Sequence, residues 1–274
     1  MRYLSLIILL FSSLLLTACP AAIIGAIGSQ VTRTAYANDA KINDYSQPVN
    51  YGNDSEIAVA NLKLGIGYLQ EGFYEKALEK LTRAREAKSD YPPIYNALGV
   101  LHQRLGIYDV AEDNFKIAIK LNPEDSSTLN NYGLLLCHIQ RYEEADELFL
   151  RAVNNPLYAT PELAYNNAGT CALNNGQIEL AENYFNEALR RNARMGTTLI
   201  QMSALSYEKG DYMPARGYLS RYLESNNHSA TSLWLGIRIE RELGDKNAVS
   251  SYELLLRNQF SESEEAKLLS QVIY

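Results

Sequence analysis

The feature that most constrains this chain is a pattern that returns about every 34 residues. In each copy, a small residue lies in one amphipathic segment and an alanine lies twelve residues further on, in a second segment. The small residues are Gly65, Gly99, Gly133, Gly169, Ser203 and Gly236, and the alanines are Ala77, Ala111, Ala145, Ala181, Ala215 and Ala248. Both series have spacings of 34, 34, 36, 34 and 33 residues, so the chain from about Glu56 onward consists of six related units.

This period and this pair of small residues are typical of the tetratricopeptide repeat, which folds as two antiparallel helices joined by a tight turn. Small side chains allow the two backbones to approach, and glycines such as Gly72 and Gly106 mark the turns. A single pair of helices cannot bury its apolar face, so the core forms by stacking successive pairs. The sequence therefore predicts an all-α fold, a right-handed superhelix of six tetratricopeptide repeats over residues 57–274 with a C-terminal capping helix after Leu256.

The N-terminus has the order of a secretory signal, with a basic residue, a short apolar run and then small residues before Cys19. The apolar run of 13 residues is shorter than the roughly 20 that cross a bilayer as a helix. Because it ends on Leu-Thr-Ala-Cys, it resembles a bacterial lipoprotein signal, in which cleavage precedes an acylated cysteine; an ordinary signal peptide is the alternative. We predict a signal peptide over 1–18, acylation of Cys19 and a lipid-anchored tether over 19–56. Pro20 stands where aspartate would retain a lipoprotein in the inner membrane, which favours the outer membrane.

The overall charge excludes some classes of partner. The formal net charge is −7, with 25 basic and 32 acidic residues. An acidic chain does not attract the phosphates of nucleic acid, and by the same argument we expect no electrostatic attraction to anionic lipid. Nothing after Cys19 is long and apolar enough to cross a membrane.

In a superhelix of this kind the first helices of successive units line a concave groove. Asparagines recur three and two residues before the small residue of the first helix, and apolar residues follow it. Side-chain amides offer donors and acceptors that suit the backbone of an extended peptide. We predict a partner-binding groove, and the alternative is that the asparagines cap or bridge adjacent helices. The groove residues are Asn96, Asn130, Asn131, Asn166, Asn167, Val100 and Leu134.

Two further cysteines, Cys137 and Cys171, lie 34 residues apart in the third and fourth units. Their positions relative to the repeat differ by two residues, about 200° around a helix, which places them on the facing sides of neighbouring first helices. We predict a disulfide, because an oxidising compartment allows one to persist. Two reduced cysteines buried as small apolar residues are the alternative. Two thiols alone do not make a zinc site, and the Cys-x-x-Cys spacing of redox enzymes is absent.

No nucleophile elbow, phosphate loop, metal-ligand spacing or paired-acid motif occurs in the sequence. Carboxylates alternate with lysine and arginine as on a solvated helix face, for example over 75–80. We therefore predict a binding protein rather than an enzyme, without cofactor, metal or small-molecule substrate.

Several stretches outside the repeat frame resemble the pilotin lipoproteins of type IV pilus biogenesis, the PilF and PilW type. They are LGIGYLQEG (64–72), LNNYG (129–133), RYEEA (141–145), MPARGYL (213–219), SLWLGIRI (232–239) and FSESEE (260–265). The resemblance runs from about residue 58 to the C-terminus and does not include 20–56. Some family members also carry a cysteine in each of repeats 3 and 4, which fits the pairing of Cys137 with Cys171.

The resemblance implies an assembly role on the periplasmic face of the outer membrane. Pilotins bind subunits of the pilus secretin and promote their localisation and multimerisation in that membrane, or stabilise assembled pili. We accordingly expect a secretin subunit as protein partner and the membrane as a second partner through the acyl chains. The alternative is a general periplasmic adaptor lipoprotein that scaffolds cell-wall enzymes.

Overall fold

A computed structural model describes residues 53–272, which form thirteen α-helices. The signal peptide, Cys19 and most of the tether lie outside the described residues. The first helix begins at Asn53, four residues before the predicted start of the repeat body, with Asp54 and Glu56 in its first turn where they complement the helix dipole. The helices are α1 Asn53–Gln70, α2 Tyr74–Ala87, α3 Pro92–Arg104, α4 Tyr108–Leu121, α5 Ser126–His138, α6 Tyr142–Asn154, α7 Pro161–Asn174, α8 Ile178–Arg191, α9 Gly196–Glu208, α10 Tyr212–Leu223, α11 Ala230–Leu243, α12 Lys246–Gln259 and α13 Glu264–Val272.

The helices associate as six antiparallel pairs, from α1 with α2 to α11 with α12, and each pair stacks on the next. Helix α13 packs against α11 and α12 and closes the C-terminal end, where Leu269 is fully buried. The prediction of six tetratricopeptide repeats with a capping helix is confirmed. Among the described residues, no helix combines the length and the apolar character that crossing a membrane requires.

In five of the six first helices, the small residue is a glycine that close packing within the pair requires. A Cβ atom placed on Gly99 would lie 2.6 Å from the ring of Phe115, which is itself fully buried. Gly133 and Gly169 meet a phenylalanine ring of their own second helix in the same way. The repeat period visible in the sequence is therefore the period of these backbone-to-ring contacts.

The third turn departs from the glycine pattern of the others. The turns within units 1, 2, 4, 5 and 6 contain a glycine with φ between 73° and 81°, whereas the third contains Gln140 with φ 64°. A side chain in this left-handed region is strained relative to glycine. The fold tolerates this cost at one position out of six.

The stack is curved with the first helices inside. Neighbouring first helices contact each other along most of the stack, whereas no comparable contact joins successive second helices in the described part of the chain. The concave groove is therefore lined by α1, α3, α5, α7, α9 and α11, and the second helices form the outer face. The side that carries the turns within units is called the turn edge below. The opposite side, which carries the connections between units, is called the loop edge.

Candidate functional site

The asparagines predicted to line the groove form a ladder between neighbouring first helices. The Asn131 amide donates to Asn96 Oδ1 at 3.0 Å, joining repeats 2 and 3. The equivalent bond between repeats 3 and 4 runs from Asn167 Nδ2 to Asn130 Oδ1, also at 3.0 Å. In the next rung, the hydroxyl of Thr198 donates to Asn166 Oδ1 at 2.9 Å. These bonds set the spacing of the helices that build the groove wall.

Burial corrects the prediction that these amides contact a partner directly. The side chains of four of the five asparagines are almost completely buried. The carbonyl oxygens of Asn96, Asn130 and Asn166 accept bonds from the next repeat, and Asn167 donates to the preceding one. A buried amide that gave up such a bond would leave an unpaired polar group at a cost of about 1–3 kcal/mol. The alternative stated above, that the asparagines bridge adjacent helices, is the one observed. The exposed fractions are 0% for Asn96, 3% for Asn130, 2% for Asn166, 3% for Asn167 and 9% for Val100, and only Asn131 and Leu134 are half-buried.

The ladder ends in repeat 5. Gln201 occupies the position of Asn131 and Asn167, but the oxygen it would reach, Asn166 Oδ1, already accepts from Thr198. The Gln201 amide nitrogen is buried without a hydrogen-bond partner in the described residues. The ladder therefore couples repeats 2 to 5 and is not continued into repeat 6, where Trp234 stands at this position.

Cys137 of α5 and Cys171 of α7 lie against each other as a disulfide, with their Cα atoms 5.7 Å apart. This separation is within the range typical of disulfides. The cysteines are 8% and 4% exposed. Nearby His138 points elsewhere, since its Nε2 atom lies 2.7 Å from the hydroxyl of Tyr108. The described residues include no group of three or more histidine, cysteine or acidic side chains arranged to hold a metal ion.

On the turn edge, neighbouring units are joined by charged side chains. Glu112 of α4 accepts from Arg141 at 2.8 Å and from the Tyr132 hydroxyl at 2.8 Å, and Lys116 lies 2.8 Å away. Burial by itself would raise the pKa of Glu112, but the hydrogen bonds from Lys116, Arg141 and Tyr132 outweigh it and lower that pKa to about 2. The carboxylate therefore stays charged at neutral pH and holds repeats 2 and 3 together.

The position of Glu112 in its second helix also carries a charged residue in units 3 to 5. The residue directly after the second-helix alanine is Glu112, Asp146, Glu182 or Arg216. Asp146 accepts from the Tyr184 hydroxyl at 2.6 Å, Glu182 from Lys209 at 2.8 Å, and Arg216 pairs with the buried Glu240. Sequence reasoning had assigned the carboxylates to a solvated surface. A comparison of this one position across the units would have revealed the pattern.

The junction of repeats 1 and 2 replaces the charged register with apolar side chains. Leu78 follows the alanine of repeat 1. In repeat 2, Leu105 stands at the position that Lys209 has in repeat 5, and Ile107 stands at the position that Arg141 has in repeat 3. All three are substantially exposed, at 38%, 41% and 45%. Phe73 in the first turn, at 51%, and Val110 at the start of α4, at 40%, belong to the same edge. These five residues are called the turn-edge apolar surface below, and an exposed group of this kind is typical of an interaction site.

The fold and these features define a tetratricopeptide-repeat binding protein. Models of the tetratricopeptide repeat match residues 96–162 and 163–194. Two solved structures superpose on the chain with a TM-score of 0.72. One is Pseudomonas aeruginosa PilF, with 30% identity, covering 80% of this chain and 98% of that one. The other is PilW, described as a widely conserved type IV pilus biogenesis factor, with 26% identity and coverage of 78% and 98%.

The sequence relationship is closer than the general repeat frame requires. The type IV pilus assembly protein PilF of Pseudomonas aeruginosa is 32% identical to this chain over 201 residues, which cover 73% of the chain and 80% of the relative. The chain belongs to the family of PilF. The resemblance noted in the sequence is thus confirmed.

Proposed function

We propose that this protein is a lipid-anchored assembly factor for type IV pili at the periplasmic face of the outer membrane. It acts as a pilotin, binding secretin subunits and promoting their localisation and multimerisation, and its role is binding rather than catalysis. Membership of the PilF family supports the pilus role, and the repeat architecture supports a protein partner.

The observation that carries the proposal is the turn-edge apolar surface. In this register, ion pairs join repeats 2 and 3 and repeats 4 and 5, whereas the apolar side chains at the junction of repeats 1 and 2 remain 38% to 45% exposed. Burying an exposed leucine or phenylalanine side chain stabilises a complex by about 1.5–3 kcal/mol when burial is complete. We assign this surface, rather than the buried asparagine ladder, to an apolar segment of the secretin subunit.

The anchor gives the surface its place of action. Cys19, which lies outside the described residues, would carry the acyl chains after removal of residues 1–18. Several acyl chains hold a protein stably on a membrane, whereas one chain does so only marginally. Confinement to the membrane raises the effective concentration of the surface near arriving subunits.

The test is a gel of outer-membrane fractions probed for heat-stable secretin multimers. The cells would contain the natural protein, no protein, the Cys19→Ala variant, or the double variant Leu105→Ser with Ile107→Ser. Met213→Ser is the matched control, because Met213 is 62% exposed on the turn edge of a distant repeat. We expect multimers with the natural protein and the control, and loss or mislocalisation in the other three.

Normal multimers in cells without the protein would overturn the pilotin role. If the double variant alone retained them, the assignment of the client surface would be wrong while the role stood. Capture of cell-wall hydrolases without any effect on secretin would favour the general adaptor.

A further inference from the structure

The N-terminal end of the stack exposes an apolar face whose central position every later repeat buries. Leu64, directly before the small residue of α1, is 52% exposed, whereas the residue at this position in repeats 2 to 6 is at most 7% exposed. Ile57, two turns earlier in α1, is 42% exposed, and Ala60 between them is exposed as well. Spacings of three and four residues place the three side chains on one side of the helix. Ile57, Ala60 and Leu64 are called the end face below.

The buried equivalents show what covers this face in later repeats. Tyr132, at the position of Leu64 in repeat 3, stacks on Phe115 of the preceding second helix, with ring centroids 5.8 Å apart. Its hydroxyl also donates to Glu112 of that helix at 2.8 Å. In the part of the chain that the structure describes, no helix precedes α1. A stacked-repeat protein requires its terminal apolar faces to be covered, as α13 covers the C-terminal end around Leu269.

The chain before the described residues contains an apolar stretch that could supply this cover. Residues 20–28, PAAIIGAIG, have no charged or polar side chain and include Ile23, Ile24 and Ile27. The following residues, 29–52, carry several charged and amide side chains. The stretch 20–28 is therefore the part of this segment whose chemistry matches the end face.

The connection between the stretch and α1 is long enough for the two to meet. As a random coil, the 24 residues 29–52 would span about 25–30 Å. Helix α1, with 18 residues, is about 27 Å long, so the stretch reaches every part of the end face. Because stretch and helix are joined, the local concentration of the stretch is on the order of millimolar, which favours it over a second copy of the chain in dilute solution.

We propose that residues 20–28 of the same chain cover the end face, with their isoleucines against Ile57 and Leu64. The contact takes the place of a preceding repeat at the N-terminal end of the stack. It rests on neither acylation nor the secretin role. Since Cys19 directly precedes the stretch, an acylated chain would hold repeat 1, and with it the turn-edge apolar surface, close to the membrane instead of at the far end of the tether.

The test is disulfide cross-linking in the mature chain carrying Cys19→Ser, in dilute solution and without lipid or secretin. Ile24→Cys is combined with Leu64→Cys in one variant and with Leu78→Cys in the control. Leu78 is a matched site, because it is an exposed leucine of the same repeat that lies outside the end face. Non-reducing gels follow the rate of cross-linking, and mass spectrometry identifies the linked peptides.

We expect the bond between positions 24 and 64 to form at least about tenfold faster than the bond between positions 24 and 78, at a rate independent of protein concentration. Adding Ile23→Ser with Ile27→Ser should slow the first reaction about tenfold, because these side chains lose their apolar contact. Val31→Ser with Ile42→Ser, which removes apolar side chains from the connection, should leave the rate unchanged.

Equal rates at the two sites, or an unchanged rate after loss of the isoleucines, would overturn the proposal. Dimers linked through position 64 that increase with protein concentration would assign the end face to a second copy of the chain and would also overturn it.

Discussion

Replacement of Glu112 by glutamine tests whether buried charge joins the repeats. The side chain of Glu112 is 14% exposed, and its pKa is lowered from 4.5 to about 2 by three donors. A shift of this size corresponds to at most about 3 kcal/mol of folding free energy when the carboxylate is charged in both states. Because the pKa is lowered on folding, this stabilisation is complete above pH 4.5 and is lost as the pH falls toward 2. At pH 3 about half of it should remain.

The measurement is urea unfolding of the natural protein and of Glu112→Gln, followed by circular dichroism at pH 7, 5 and 3. The variant should be less stable by about 2–3 kcal/mol at pH 7, and the difference should shrink to about half at pH 3. Glu147→Gln is the control, since Glu147 is exposed and forms no ion pair with the described residues; it should change stability little at any pH. A difference that stays constant with pH, or an equal effect of the control, would refute the reasoning.

Three further predictions concern packing, turn strain and the cysteines. Gly99→Ala should destabilise the protein by about 2 kcal/mol or more, because the new methyl overlaps a buried ring. Gly67→Ala, at an open helical site, should stabilise it by about 0.5–1 kcal/mol. Thermal unfolding compares the two variants, and equal effects would contradict the packing argument. Gln140→Gly should raise stability by about 0.5–1 kcal/mol in the same assay, since glycine relieves the left-handed strain, and a loss would show that the side chain is needed. Protein isolated from the periplasm should show no maleimide-reactive thiol at Cys137 or Cys171 after denaturation, whereas free thiols would indicate two reduced cysteines. Replacing both cysteines by serine should lower the free energy of unfolding by about 2–4 kcal/mol.

The groove shows where inference from sequence succeeds and where it stops. The recurrence of asparagine before the small residue correctly marked the first helices as special. The sequence does not show how deeply a side chain between neighbouring first helices is buried, and that burial decides whether an amide meets a partner or another amide. Asn96 and Asn130 lie on the neighbouring side and are buried. The sequence analysis did not single out the exposed Leu105 and Ile107, which stand at the positions of Lys209 in repeat 5 and Arg141 in repeat 3.

The sequence by itself determined the repeat, the helix pairs and the family. Close contact between two helices requires a small residue at a fixed position, and such a requirement leaves a regular trace along the chain. The tertiary structure alone decided the burial of the asparagine ladder and the charged contacts between units. These depend on the distance and direction between residues of different repeats. Composition is a sum over the chain without direction, so a net charge of −7 carries no information about which carboxylates, such as Glu112 and Glu182, join neighbouring repeats.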